Sequence, residues 1–165
     1  MFNAHRIDYS DKRVFWAELS DQARALLAGE SDPVANAANL SALLFSQLPD
    51  TNWVGFYFAH DDVLVVGPFQ GLPACVRIPL GKGVCGTAAA TRSTQVVADV
   101  NAFAGHIPCD AASRSEIVVP LVDGHGRLLG VLDVDSPSPG RFDDADREGL
   151  ETVTGIYLAA LAGDA

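Results

Sequence analysis

Residues 52–66 read Asn52-Trp53-Val54-Gly55-Phe56-Tyr57-Phe58-Ala59-His60-Asp61-Asp62-Val63-Leu64-Val65-Val66. Alternation places Trp53, Gly55 and Tyr57 on one face of a strand and Val54, Phe56 and Phe58 on the other, and Asp61-Asp62 turns the chain into a second β-rich run. The stretch predicts an antiparallel hairpin. A second hairpin is predicted further on, from Glu116–Val122 through the turn Gly124-His125-Gly126 to Leu128–Asp135, with Pro137 and Pro139 ending the sheet. Between the hairpins, Cys75–Ile78 and Gln95–Ala98 read as short strands, Gly86–Arg92 as a short helix of small residues, and Asp99–Ser113 as a long polar loop.

Helical periods occupy the two ends of the chain. Phe15, Leu19, Ala23, Leu26 and Leu27 form the apolar stripe of a helix over Lys12–Ala28, closed by Gly29. Ser31-Asp32-Pro33 supplies a cap and a first-turn proline for a second helix, whose Ala37, Leu40, Leu44 and Leu48 keep the period until Pro49. A last helix starts after Asp143 and turns Leu150, Val153, Tyr157 and Leu161 inward. Hairpins in the middle and helices at the ends predict an α+β sheet covered by helices, not an alternating βαβ fold. One domain over 1–165 is expected, with helices over about 12–48, sheet and loops over about 51–136 and a final helix over about 143–162.

A formal charge of −10 and 11 scattered basic residues speak against nucleic acid and anionic membranes as partners. No stretch has the length of a membrane helix, and the start of the chain has no apolar leader, so a cytoplasmic location is expected. Cysteines in a reducing compartment point to catalytic thiols before structural bridges. The three present, Cys75, Cys85 and Cys109, fall within 35 residues of one another.

Their spacing, with nine and then 23 residues between neighbours, does not match paired zinc ligands, so no metal is expected. Cys109 lies in a polar run with His106, Asp110, Ser113 and Arg114; a hydrolytic Cys109–His106 pair is conceivable, but catalytic partners usually meet through the fold. Cys85 is expected to open a helix, where partial positive charge lowers a thiol pKa, and neither cysteine reads as a core position. Gly81-Lys82-Gly83-Val84-Cys85-Gly86 fits the G-x-G-x-x-G pattern of dinucleotide sites. The short helix after it and Pro79 before it favour a close-packed glycine turn instead. Asp133 and Asp135 share one strand face and Glu116 leads another strand: either an acidic solvent-facing edge, or a pocket for a small cation or a raised-pKa acid, with Trp53 and Tyr57 as walls.

Taken together, Gly67-Pro68-Phe69-Gln70-Gly71, Cys75-Val76-Arg77-Ile78, the Gly81–Gly86 run, Gly105-His106-Ile107, Cys109-Asp110, Ser115–Leu121 and Gly130–Ser136 resemble the free methionine-(R)-sulfoxide reductases, enzymes built on a single GAF domain. The resemblance runs from about Trp16 to the final helix. It implies a GAF-like six-stranded antiparallel sheet with helices packed around it and a small pocket beneath the cysteine loops. It implies Cys109 as the nucleophile toward the sulfoxide sulfur and Cys75 and Cys85 as resolving thiols, without choosing between them. Trp53 and Tyr57 match the aromatic wall of the substrate site, and Glu116, Asp133 and Asp135 the carboxylates that bind the amino group or handle the proton, Glu116 counted among the catalytic residues. Pro108 stands where such motifs usually have alanine, and a stiffer nucleophile loop is expected from it. No bound cofactor is implied; thioredoxin is the implied reductant, with NADPH behind it, and a homodimer is left open. The alternative is a non-catalytic GAF module that binds a small molecule.

Overall fold

The computed structural model describes residues 4–103, 105 and 112–163. Helix α1, Lys12–Leu27, begins where the Asp11 carboxylate accepts from the amides of Arg13 and Val14, and α2, Pro33–Gln47, begins on Asp32 in the same way. The hairpin follows as β1, Trp53–His60, and β2, Val63–Gly71. Then come β3, Arg77–Pro79, helix α3, Gly83–Thr91, β4, Gln95–Val97, and a 3₁₀ turn over Val100–Ala102. The chain closes with β5, Ser115–Val122, β6, Leu128–Ser136, and α4, Asp144–Ala162, which starts in a capping box between Asp143 and Asp146.

The strands form one six-stranded sheet in the order β3-β2-β1-β6-β5-β4, every neighbouring pair antiparallel. The two predicted hairpins are thus joined through β1 and β6 at the centre. Alternation divides the apolar residues between two cores. Val54, Phe56, Ile117, Val119, Leu121, Leu132 and Val134 turn toward α1, α2 and α4. Trp53, Tyr57, Val118 and Val131 turn the other way, where α3 lays Val84, Cys85, Ala88 and Ala89 on the sheet. Among the described residues the second face has one short α-helix over it, and there Glu116, Asp133 and Asp135 sit.

Three boundaries differ from expectation. β2 runs on through Gly67-Pro68 to Gly71, because the β1–β2 register shifts between Gly55 and Tyr57 and the bulge accommodates Pro68, which has no amide to give the ladder. β3 comprises Arg77–Pro79, so Pro79 lies within an edge strand and does not interrupt one. Helix α3 starts at Gly83, three residues before the expected Gly86, after Gly81 and Gly83 take positive φ values of 79° and 60°. Gly86 packs so closely that a Cβ would collide with the Pro79 carbonyl. The Gly81–Gly86 run is therefore the close-packed turn, and antiparallel pairing on either side of it leaves no βαβ crossover for a dinucleotide.

Helices α1 and α4 are clamped by one buried acid. Asp146 accepts hydrogen bonds from Tyr9 Oη (2.9 Å), Lys12 Nζ (2.6 Å), Trp16 Nε1 (3.3 Å), Arg141 Nη1 (3.1 Å) and the Asp143 amide (3.1 Å). Asp146→Ala would leave the Arg141 guanidinium buried without its anion, and should lower the free energy of unfolding by about 3 kcal/mol. Urea denaturation of the two proteins measures the difference; a loss under 1 kcal/mol, on the order of an exposed ion pair, would show that the clamp carries little.

Candidate active site

The polar face of the sheet is built from three central strands. The β1–β6 register sets Trp53 opposite Asp135 and Gly55 opposite Asp133, and the β5–β6 register sets Glu116 opposite Asp135. Since β6 lies at the centre of the sheet, its aspartates do not form an acidic edge. Asp133 is 7% exposed and Glu116 6%. From above, α3 brings Cys85, whose Sγ donates to Asp133 Oδ2 at 3.3 Å. Donor atoms of Cys85, Glu116 and Asp133 all lie within 4.8 Å of one another, a spacing that suits a compact cation, whether metal or ammonium. Among the described residues, Asp133 Oδ1 is buried without a hydrogen-bond partner.

Aromatic rings wall this group. Trp53 stacks on Tyr57 at 5.8 Å between centroids and on Phe69 at 5.2 Å. Phe69 was not foreseen because its strand was expected to stop at Val66. Gly55 was legible only as a gap between two aromatics on one face. A Cβ there would collide with the Phe69 Cβ, while the Trp53 ring occupies the space above it. Trp53 Nε1 donates to the Leu72 carbonyl and Tyr57 Oη to the Cys75 carbonyl, each at 3.1 Å. The wall thereby fixes the segment that carries Cys75, a partly buried residue held in a disulfide.

Burial dominates the electrostatics. It pushes the Glu116 carboxyl up to about 8, with the Asp135 charge adding to the effect. Burial first and Glu116 second hold Asp133 well above the usual carboxylate range. Tyr57 is raised by burial and then by Asp133. Cys85 does not occupy the expected non-core position at a helix start: its thiol is 5% exposed and in the core. Burial, followed by the charges of Asp133 and Glu116, drives its pKa far up, outweighing any lowering by the start of α3. Cys85 is a free thiol.

Trp53, Tyr57, Cys85, Glu116, Asp133 and Asp135 are thus gathered on one face, with Cys75 tied to its rim. Cys109, with His106, Pro108 and Asp110, lies outside the described residues. The chain on the near side of that run is anchored where the Val100 amide donates to the Arg114 carbonyl, and on the far side where Asn52 Nδ2 donates to Ser113 Oγ. Among the described residues no helix is long and apolar enough to cross a membrane.

Fold and site together define a GAF-type α+β domain with a thiol and carboxylates beneath an aromatic wall, and residues 35–162 match the GAF domain family. The chain is 56% identical over 152 residues to the free methionine-R-sulfoxide reductase of Escherichia coli, covering 92% of each. The crystal structure of free methionine-R-sulfoxide reductase from Neisseria meningitidis in complex with its substrate superposes with a TM-score of 0.94 at 43% identity, covering 99% of this chain and 98% of that one. The reduced fRMsr of Staphylococcus aureus gives 0.86 at 52% identity, covering 88% and 94%. The chain belongs to the free methionine-R-sulfoxide reductase family of GAF-domain proteins.

The Glu116 carboxyl gives a stability signature. Its ordinary value is 4.5 and its folded value about 8, so between them the unfolded chain has released a proton that the folded chain keeps. Folding is then penalised as pH rises through that window, by up to about 1.4 kcal/mol per pH unit, and not below it. Substrate-free wild type should therefore lose stability relative to Glu116→Gln between about pH 5 and 8 in denaturant titrations. Parallel pH profiles for the two proteins would place Glu116 in the ordinary carboxylate range.

Proposed function

We propose that this chain reduces free L-methionine-(R)-S-oxide to L-methionine. The observation that carries the reading is the carboxylate set on one sheet face against the Trp53–Tyr57 wall, Glu116 and Asp133 buried and Asp135 half-buried. It offers negative charge for a free ammonium group and an apolar surface for a methylthio group.

The chemistry follows from what a sulfoxide demands. Sulfoxide oxygen leaves poorly unless protonated, so attack on sulfur requires a nearby acid. A carboxyl that stays neutral to about pH 8 meets that need, and we assign the proton to Glu116. The Cys109 thiolate attacks the sulfoxide sulfur; the S–O bond of the substrate is exchanged for one on cysteine, giving methionine and a Cys109 sulfenic acid. A second thiol displaces the sulfenic oxygen as water and forms a disulfide, which an external dithiol reduces while becoming a disulfide itself. Thioredoxin is the proposed dithiol.

Two observations support Cys75 as the resolving thiol. Cys75 is disulfide-bonded while Cys85 is a free thiol. Burial and the surrounding carboxylates also keep Cys85 protonated, which makes it a poor attacking sulfur.

Methionine release from free methionine-(R)-sulfoxide, with thioredoxin or dithiothreitol, tests the assignment. Cys109→Ser should abolish it. Cys75→Ser should release about one methionine per chain and then stall with thioredoxin, because attack precedes resolution. Undiminished turnover by Cys109→Ser, or unimpaired cycling by Cys75→Ser, would overturn the respective role.

Substrate choice follows from the same carboxylates. Removing the ammonium charge leaves buried acids without their cation, so kcat/KM for N-acetylmethionine sulfoxide should fall at least about a hundredfold below that for the free amino acid, equivalent to about 2.7 kcal/mol. Equal values for the two substrates would refute recognition through the ammonium group.

A further inference from the structure

Cys85 is a buried nucleophile for which the proposed chemistry has no use. Its sulfur lies 3.3 Å from Asp133 Oδ2 in donating geometry, and its position is fixed by backbone: Val84 and Ala88 of the same short helix are packed into the sheet, and Gly86 sits against the Pro79 carbonyl. The bond occupies one oxygen of Asp133 and leaves the other, Oδ1, buried with no partner among the described residues. A buried carboxylate oxygen without a donor is costly, and it persists where something outside the protein completes it.

We propose that Cys85 is a positioning residue and not a redox thiol: its S–H holds Asp133 Oδ2 so that Oδ1 is presented to the ammonium group of the substrate. The inference rests on the reductase reading for the identity of the substrate, but not for the geometry of the pair. Three features make the roles of the two oxygens unequal. Oδ2 is engaged from the α3 side; the Asp133 backbone is locked into ladders with Gly55 and Val118; and Glu116 on the neighbouring strand is the other acid within reach of both groups. Asp133 therefore has little freedom to turn Oδ2 inward for a cation. Donation from the thiol opposes the burial and the Glu116 charge that hold the Asp133 carboxyl up, and so favours the ionised form that pairs with an ammonium group.

A serine at position 85 keeps a donor of similar reach and an alanine removes it. Steady-state kinetics with free methionine-(R)-sulfoxide and thioredoxin should give Cys85→Ala a KM raised about tenfold, with kcat within about threefold of wild type, while Cys85→Ser recovers most of the KM. Equilibrium binding of free methionine, which needs no redox step, should weaken in Cys85→Ala and recover in Cys85→Ser in parallel. Multiple turnover should persist in both variants. If either one stalls after a single turnover, Cys85 is a resolving thiol and the proposal fails. An unchanged KM and unchanged methionine affinity in Cys85→Ala would overturn it as well. Absence of methionine formation by the wild type would instead strike the reductase reading, and the binding comparison would still judge the Cys85–Asp133 pair.

Discussion

Glu116 and Asp135 face each other across the β5–β6 ladder, and Asp133 stands two residues along on the same face. Like charges placed opposite one another destabilise a sheet, and burial adds a desolvation cost for every ionised member. The rest of the molecule works to sustain this arrangement. On the far face, Ile117, Val119, Leu132 and Val134 of the same strands are packed under three helices. A one-residue slip of register would exchange the two faces and bury the acids among those helices, so the aliphatic set holds the carboxylates where they are.

The cost is also the means of function. Closely placed buried carboxyls cannot all ionise: Glu116 and Asp133 are both held up, and Glu116 keeps its proton at a pH where an ordinary glutamate has lost it. In the proposed reading, a cation brought in with the substrate satisfies the remaining negative charge. Around this group, the Trp53 and Tyr57 rings reach the Leu72 and Cys75 carbonyls, so the apolar wall and the disulfide-bearing segment are positioned by the same two side chains. The proposed recognition and redox chemistry thus use adjoining parts of one sheet face.

Much of this was legible in the sequence because strands of period two announce their faces. Trp53 and Tyr57 against Val54 and Phe56, and Asp133 against Leu132 and Val134, follow from alternation alone. The capped starts at Asp32 and Asp143 followed from local hydrogen-bond chemistry. What escaped depends on contacts between distant segments. The burial of Cys85 required knowing that Gly81 and Gly83 adopt positive φ and start α3 early enough to lower the thiol onto Asp133. Phe69 escaped because a bulge carries β2 past a glycine and a proline that normally end strands. The Asp146 clamp draws Tyr9, Lys12 and Trp16 from more than 100 residues away, a separation that no local pattern reports.

The central claim is that a carboxyl on this sheet face remains protonated at neutral pH in the substrate-free protein. Infrared difference spectroscopy of wild type against Glu116→Gln reads that proton directly through the carbonyl stretch of a neutral carboxyl. A protonated carboxyl band present at pH 7 in wild type, lost in Glu116→Gln and titrating away as pH rises through about 8, is the expected result. A Glu116 signal already in the carboxylate form at pH 7, titrating near the ordinary glutamate value, would contradict it.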